Sequence, residues 1–212
     1  MNGAGDAADI GAFEIPIFTF NITTVTCIEL RYNAGTNEVE IFDPVGLTVL
    51  ASKNAASLAA VVVNGTDLTD DKLQINFTGF PTSIPIFFNG GLGPSNAGVG
   101  ADELIFFNNA NTATTYDYDG RVVSLDGHEV GYTGLEILAN RGTSTTQNFN
   151  FTAGSETVSL EDVGTPMPGS PRPNAAGQST RLNITGVALP QTEFVNPATA
   201  GIVNQGQRTL SP

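Results

Sequence analysis

Four aspartates stand where short apolar stretches give way to turns marked by glycine: Asp67, Asp70, Asp71 and Asp102. Carboxylates placed beside turn carbonyls can hold Ca2+, a hard cation that gathers six to eight oxygens from side chains and backbone. Asn64-Gly65-Thr66-Asp67-Leu68-Thr69-Asp70-Asp71 offers three of these acids within eight residues, and Asp102 follows the glycine-rich stretch 90–100. Their spacing is irregular. It suits one or two isolated Ca2+ sites rather than a ladder of ions.

Other chemistry is thinly supplied. His128 is the single histidine and follows an Asp-Gly turn, where histidines ordinarily face solvent. Cys27 is the single cysteine, so no internal disulfide can form; in the alternating stretch 24–30 it reads as a small packed residue rather than a nucleophile. One His and one Cys cannot furnish a zinc site. Neither a Gly-x-Ser-x-Gly elbow nor a phosphate-cradling loop occurs. Asp117, Asp119 and Asp126 with Arg121 are what a carboxylate-based glycosidase or lyase would use, but turn formation accounts for the three acids more simply. No residue is therefore assigned to catalysis. Five Asn-x-Ser/Thr triplets, at Asn21, Asn64, Asn76, Asn150 and Asn183, are glycosylation candidates if the source modifies its surface proteins.

The elements that would position these residues are strands. The plainest recurring unit is an apolar run, a glycine-marked turn, then acids leading into a second apolar run. Val61–Gly65 continues to Asp70–Ile75, and Ile86–Gly90 to Asp102–Phe106. Looser copies run from Leu30–Gly35 into Glu38–Phe42 and from Phe149–Gly154 into Glu156–Leu160. Such recurrence predicts stacked β-units, each covering its neighbour's apolar face. Further strands are expected at about 46–50, 114–118, 121–125, 129–132, 135–139 and 180–185, each bounded by Gly, Asn, Asp or Pro. Asp119-Gly120 and Asp126-Gly127 predict two tight hairpin turns and hence an antiparallel meander. Pro16 makes the Phe13–Phe20 segment an edge strand or a bend. Only residues 52–60 suit a turn or two of helix.

Eight basic and 21 acidic residues give a net charge of −13, which argues against nucleic acid or anionic lipid as a partner. Charged residues make up only 14% of the chain, so Asn, Thr and Gly carry its polarity, as befits turns and strand faces. Thirteen Phe and no Trp suit a core of flat rings more than a tryptophan-lined sugar cleft. No apolar run is long enough to span a bilayer as a helix. The N-terminus has neither the basic start nor the apolar stretch of a signal peptide, which suggests a segment of something longer. Residues 1–14 read as a linker or the tail of an upstream unit. Residues 15–212 read as one all-β module, with a proline-rich loop or seam at 164–175.

Two stretches resemble known families. Asp9-Ile10-Gly11-Ala12-Phe13-Glu14 is similar to the closing motif of right-handed parallel β-helix domains in large bacterial surface proteins. Across 58–186, the succession Val62-Val63-Asn64-Gly65, Leu73–Gly79, Phe87–Gly91, Asp102-Glu103-Leu104, Val130–Glu136 and Phe149–Leu160 resembles internal repeats of very long secreted planctomycete-type proteins. That resemblance implies a β-rich stalk or adhesin without enzymatic activity. The turns also resemble, distantly, the Ca2+-binding nonapeptides of secreted toxins. Asn64–Asp71 lacks their paired glycines, however, and Asn89–Gly93 is followed by Pro94-Ser95 where the aspartate should stand.

The expected fold is all-β, a β-solenoid-like stack with antiparallel hairpins, or alternatively a β-sandwich. The expected function is structural: an adhesive or self-assembling extracellular module whose partners are copies of itself, neighbouring modules or surface glycans. A Ca2+-stabilised carbohydrate-binding module is the alternative, and a polysaccharide-active enzyme the third reading.

Overall fold

The computed structural model of the chain describes residues 16–23, 27–67, 69–91, 101–152, 157–163, 179–185, 189–195 and 210–211. The first strands are β1 (Ile17–Asn21), β2 (Cys27–Asn33), β3 (Glu38–Asp43), β4 (Thr48–Asn54), β5 (Ala60–Asn64) and β6 (Lys72–Asn76). Next come β7 (Ile86–Asn89), β8 (Glu103–Phe107), β9 (Ala110–Asp117), β10 (Val122–Leu125), β11 (His128–Thr133) and β12 (Ile137–Asn140). The last are β13 (Thr143–Asn150), β14 (Thr157–Val163), β15 (Ser179–Thr185), β16 (Gln191–Val195) and β17 (Leu210–Ser211). β-Branched and aromatic side chains dominate these runs because they pack well on a pleated, half-buried surface.

The strands form two mixed sheets. Sheet A has the order β1-β5-β7-β11-β10-β9-β13, and sheet B the order β17-β14-β15-β16-β12-β8-β6-β2-β3-β4. In A, β1, β5, β7 and β11 run parallel and in register from one edge inward. At the centre of B, β2, β6, β8, β12 and β16 are likewise parallel. The chain passes from A to B through β1→β2, β5→β6, β7→β8, β11→β12 and β13→β14, and the Val61–Ile75, Ile86–Phe106 and Phe149–Leu160 copies of the recurring unit are three of these passages. The described strands do not trace a closed coil. Hairpins extend each ladder, and the two sheets enclose their core as a sandwich does.

Register explains the core. One inward row of sheet A is Phe18, Val61, Ile86 and Val130, and the row opposite in sheet B is Ile28, Leu73, Leu104 and Leu138. All eight belong to one buried cluster, and each such side chain contributes about 1.5–3 kcal/mol on burial. Towards the C-terminal strands the core turns aromatic. Tyr116 stacks on Phe149 at 4.9 Å and Tyr118 on Phe151 at 5.5 Å, while Phe149 meets Phe194 of the other sheet at 5.2 Å. Tyr118 also donates to Thr192 Oγ1 across the core at 2.7 Å.

Several expectations need correction. The Leu30–Phe42 copy is not a rung: it is the antiparallel β2–β3 hairpin within sheet B, because Asn33–Asn37 turns the chain straight back. Residues 52–60 hold only a single 3-10 turn, Ala55–Ser57, capped by Asn54 Oδ1 accepting from Ala56 N at 3.0 Å. Asp126-Gly127 forms the expected two-residue turn, with φ of 46° and 98°. Asp119-Gly120 instead lies in a four-residue loop whose positive φ falls on Arg121, at 53°. β16 was not anticipated. The segments 1–14 and 164–175 lie outside the described residues.

The same pairings fix the direction of the outer strands. In sheet A the outermost described strands, β1 and β13, run in the same direction, since two antiparallel steps separate β11 from β9 and β9–β13 is parallel. In sheet B, β4 and β17 also share one direction. Apolar side chains are exposed at the β1/β4 end: Ile17 (59% exposed) on β1, and Val45 (83%) and Leu47 (75%) at the tip of the β3–β4 hairpin. That tip is held rigid, with Asp43 Oδ1 accepting from Val45 N at 2.8 Å and Gly46 N at 2.9 Å.

Candidate functional site

The acids of the repeating unit meet at the corner where the chain leaves sheet A and enters sheet B. Each stands one residue before, or at the start of, a sheet-B strand: Asp71 before β6, Asp102 before β8, Glu136 before β12. Parallel stacking at one-rung offset brings them together although they are distant in sequence. Asp71 N donates to Asp102 Oδ1 at 2.8 Å, and Asp102 N donates to Glu136 Oε2 at 2.8 Å. Each carboxylate thus satisfies the amide of the acid one rung earlier. Backbone bonds reinforce the ladder, with Glu103 N donating to Asp71 O at 2.9 Å and Ile137 N to Asp102 O at 3.1 Å.

Asp71 also organises its own turn. Its Oδ2 accepts from Thr66 N at 2.6 Å and Thr66 Oγ1 at 3.2 Å, and its Oδ1 accepts from Thr69 Oγ1 at 3.4 Å. The glycines let these rungs approach. A Cβ on Gly65 would stand 2.7 Å from Asp71 Oδ2, and one on Gly90 would stand 2.7 Å from Asp102 Cβ while striking Gly134 O. Gly65 N donates to Asn89 O at 2.7 Å and Gly90 N to Thr133 O at 2.9 Å, so the turns stack as the strands do.

Electrostatically the corner is uneven. Asp71 and Asp102 are both buried, and Asp102 Oδ2 has no hydrogen-bond partner. Burial pushes the Asp102 carboxyl up to about 7; the Asp71 amide opposes that rise, while Glu136, Asp71 and Asp70 add to it. Asp67 and Asp70 are exposed. Among the described residues no three His, Cys, Asp or Glu side chains converge into a group that could hold a metal ion. Of the four acids singled out from the sequence, the fold joins Asp71 and Asp102 through a backbone amide. Asp67 lies near Gly91, whose Cβ would stand 3.2 Å from its Oδ1.

Asp117 and Asp126 serve local structure. Asp117 Oδ1 accepts from Gly120 N at 3.2 Å, and the two Asp126 oxygens accept from Thr112 N at 2.6 Å and Ala113 N at 3.0 Å. His128 does not face solvent as its turn position suggested. It is half-buried, its ring 4.8 Å from Phe77, and burial lowers its pKa against the opposing charge of Asp126. Cys27 is half-buried on β2, where Gln74 Nε2 donates to its Sγ at 3.3 Å and burial raises its pKa.

Among the glycosylation candidates, Asn21 and Asn64 are neighbours in one outward row, with Asn64 Nδ2 donating to Asn21 Oδ1 at 2.9 Å. Asn76 Nδ2 donates to Glu29 Oε1 at 3.0 Å, and Asn150 ends β13 half-buried. Asn183 lies on β15, and its side chain is outside the described residues.

Compared with family models, curated proteins and solved structures, the chain matches none of them. Two features escaped the sequence reading. Glu136 completes the acid ladder, and its position after Thr133-Gly134 is the same turn-then-acid signal that marks Asp71 and Asp102. The second is Phe87, an outward aromatic in the strand Ile86-Phe87-Phe88 whose alternation alone would have placed it on the outer face.

Proposed function

We propose that the chain is a non-enzymatic structural module of a larger secreted or cell-surface protein, joining copies of itself or neighbouring modules edge to edge. The observation that carries this reading is the shared polarity of the outer strands in both sheets. A second copy translated along the stack meets β13 with its own β1 in the parallel sense already used between β1 and β5. Such a contact is heterologous and leaves further edges available, as a stalk or fibre requires. Exposed Ile17, Val45 and Leu47 supply apolar surface at that end, and an unblocked edge strand is a template for strand addition. The charge-poor, Asn- and Thr-rich composition and the resemblance to secreted repeat proteins point the same way.

The test is sedimentation velocity over a wide concentration range. In β1, Pro16 O and Ile22 N bond towards β5, so by alternation the Thr19 amide points to the open edge. Thr19→Pro removes that donor while sparing the β1–β5 ladder. Ile17→Lys charges the same edge. Wild-type association that both variants reduce, at unchanged thermal midpoint, is the expected result. A wild type that stays monomeric throughout, or association indifferent to both variants, would overturn the reading.

A further inference from the structure

On the outer face of sheet A, a groove of about 340 Å3 lies across β5, β7, β11 and β10. Its floor is one register row: Val62, Phe87, Gly131 and Val122. Phe87 is 47% exposed, and its ring leans over Gly131. A Cβ at Gly131 would stand 2.7 Å from Phe87 Cδ1 and 2.9 Å from Cε1, so only glycine lets the ring settle there. An aromatic is thereby laid along the sheet among neighbours that are otherwise aliphatic or polar.

Polar groups border this surface. Asn89 Oδ1 accepts from Thr133 Oγ1 at 2.9 Å and Gly91 N at 3.3 Å, so the carboxamide is oriented and its remaining capacity is as a donor. Arg121 is exposed and forms no ion pair among the described residues. Its backbone is fixed, because its carbonyl accepts from Tyr132 N at 2.9 Å.

We infer that this groove is a carbohydrate-binding site that stacks a pyranose ring on Phe87 and takes its hydroxyl or carboxylate oxygens on Arg121 and Asn89. The C–H face of a sugar suits a flat ring, and the border offers N–H donors where ring substituents would project. A peptide suits it less well. All four floor strands are paired on both sides, so the groove presents no free backbone for strand addition. The site is independent of the edge-to-edge contact, since none of its residues lies on β1, β4, β13 or β17.

Affinity electrophoresis with neutral polysaccharides (mannan, hydroxyethylcellulose) and uronates (alginate, polygalacturonate) tests this directly. Retardation is expected with at least one probe. Phe87→Ala should abolish it, and Arg121→Ala should weaken it by about tenfold or more, equivalent to about 1.4 kcal/mol. Binding confined to uronates and lost in Arg121→Ala assigns an acidic sugar; binding to neutral probes assigns hydroxyl recognition. Both positions lie on the surface, and circular dichroism will confirm that the variants fold. No retardation with any of the four probes, or retardation unchanged in Phe87→Ala, would overturn the inference.

Discussion

The backbone amide of Asp71 donates to the Oδ1 of Asp102 at 2.8 Å, joining residues 31 apart in the chain. The contact exists only because β6 and β8 are parallel and in register, with Lys72 opposite Glu103. An acid that begins one strand therefore serves as the cap of its neighbour.

This arrangement gives a pH dependence of definite sign. The Asp102 carboxyl sits at about 7 in the folded chain against an ordinary value of 3.8. Between those values the folded state binds more protons than the unfolded state, so this group makes stability fall as pH rises through the window. Half-buried His128 acts oppositely, its lowered pKa favouring folding as pH rises towards 6.5. Urea denaturation of wild type and Asp102→Asn at pH 5 and pH 8 separates the two. The variant is expected to gain more stability relative to wild type at pH 8 than at pH 5. A difference that is constant with pH contradicts the assignment.

Gly90 is the tightest point of the corner. Gly90→Ala forces Asp102 and the Gly134 carbonyl apart, and should cost about 2–4 kcal/mol. Gly35→Ala is the control, since its Cβ would meet only Asn33 Oδ1, at 3.3 Å. Equal denaturation midpoints for the two variants would refute the close-stacking account.

Tyr118→Phe removes a hydroxyl that crosses from sheet A to Thr192 of sheet B. The ring stacking on Phe151 is retained, so the loss isolates the hydrogen bond and the stranded Thr192 hydroxyl, about 1–2 kcal/mol. Thermal or urea unfolding measures it, and the double variant with Thr192→Val should recover part of the loss.

Chelation probes the acids in another way. Both Asp71 oxygens are engaged by Thr66 and Thr69, and Asp102 Oδ1 by the Asp71 amide. Excess EDTA should therefore leave the thermal midpoint unchanged within error. A drop on chelation, restored by Ca2+, would mean that these oxygens exchange their amide partners for a metal.

The strands were legible wherever alternation was clean. Val61 and Val63 point inward around Val62, and Leu73 and Ile75 inward around Gln74, as a period of two dictates. β16 was hidden because Gln191-Thr192-Glu193-Phe194-Val195 carries polar residues at buried positions, with Thr192 and Glu193 both enclosed by neighbouring strands. Sheet membership was harder still. Nothing local distinguishes Tyr32–Glu38, which turns back within sheet B, from Asn64–Asp71, which crosses from one sheet to the other. The Asp-Gly pairs announced the β9–β10–β11 meander but not where the positive φ would fall, because a non-glycine residue, Arg121, adopts it. Acid types could be read, whereas their use as amide acceptors depended on contacts between rungs. For Phe87 the missing signal lay on another strand: its exposure means little until Gly131 is known to lie beneath it.

The parallel ladders also constrain how the chain reaches its fold. β2–β3–β4 and β9–β10–β11 close over short turns, whereas Ile17 waits for Ala60, Ile86 for Val130 and Ile137 for Gln191. Loop-closure entropy must be met before those long-range pairs return any stabilisation, so local hairpins are available first and the rungs join later. During that interval every central strand carries two open edges of the polarity found on the finished outer strands. When several such modules are tethered in one polypeptide, a strand from a neighbour competes for the same place as the chain's own. Exchange of rungs between modules is then a hazard intrinsic to the architecture, decided by tether length and order of emergence as much as by contact energies.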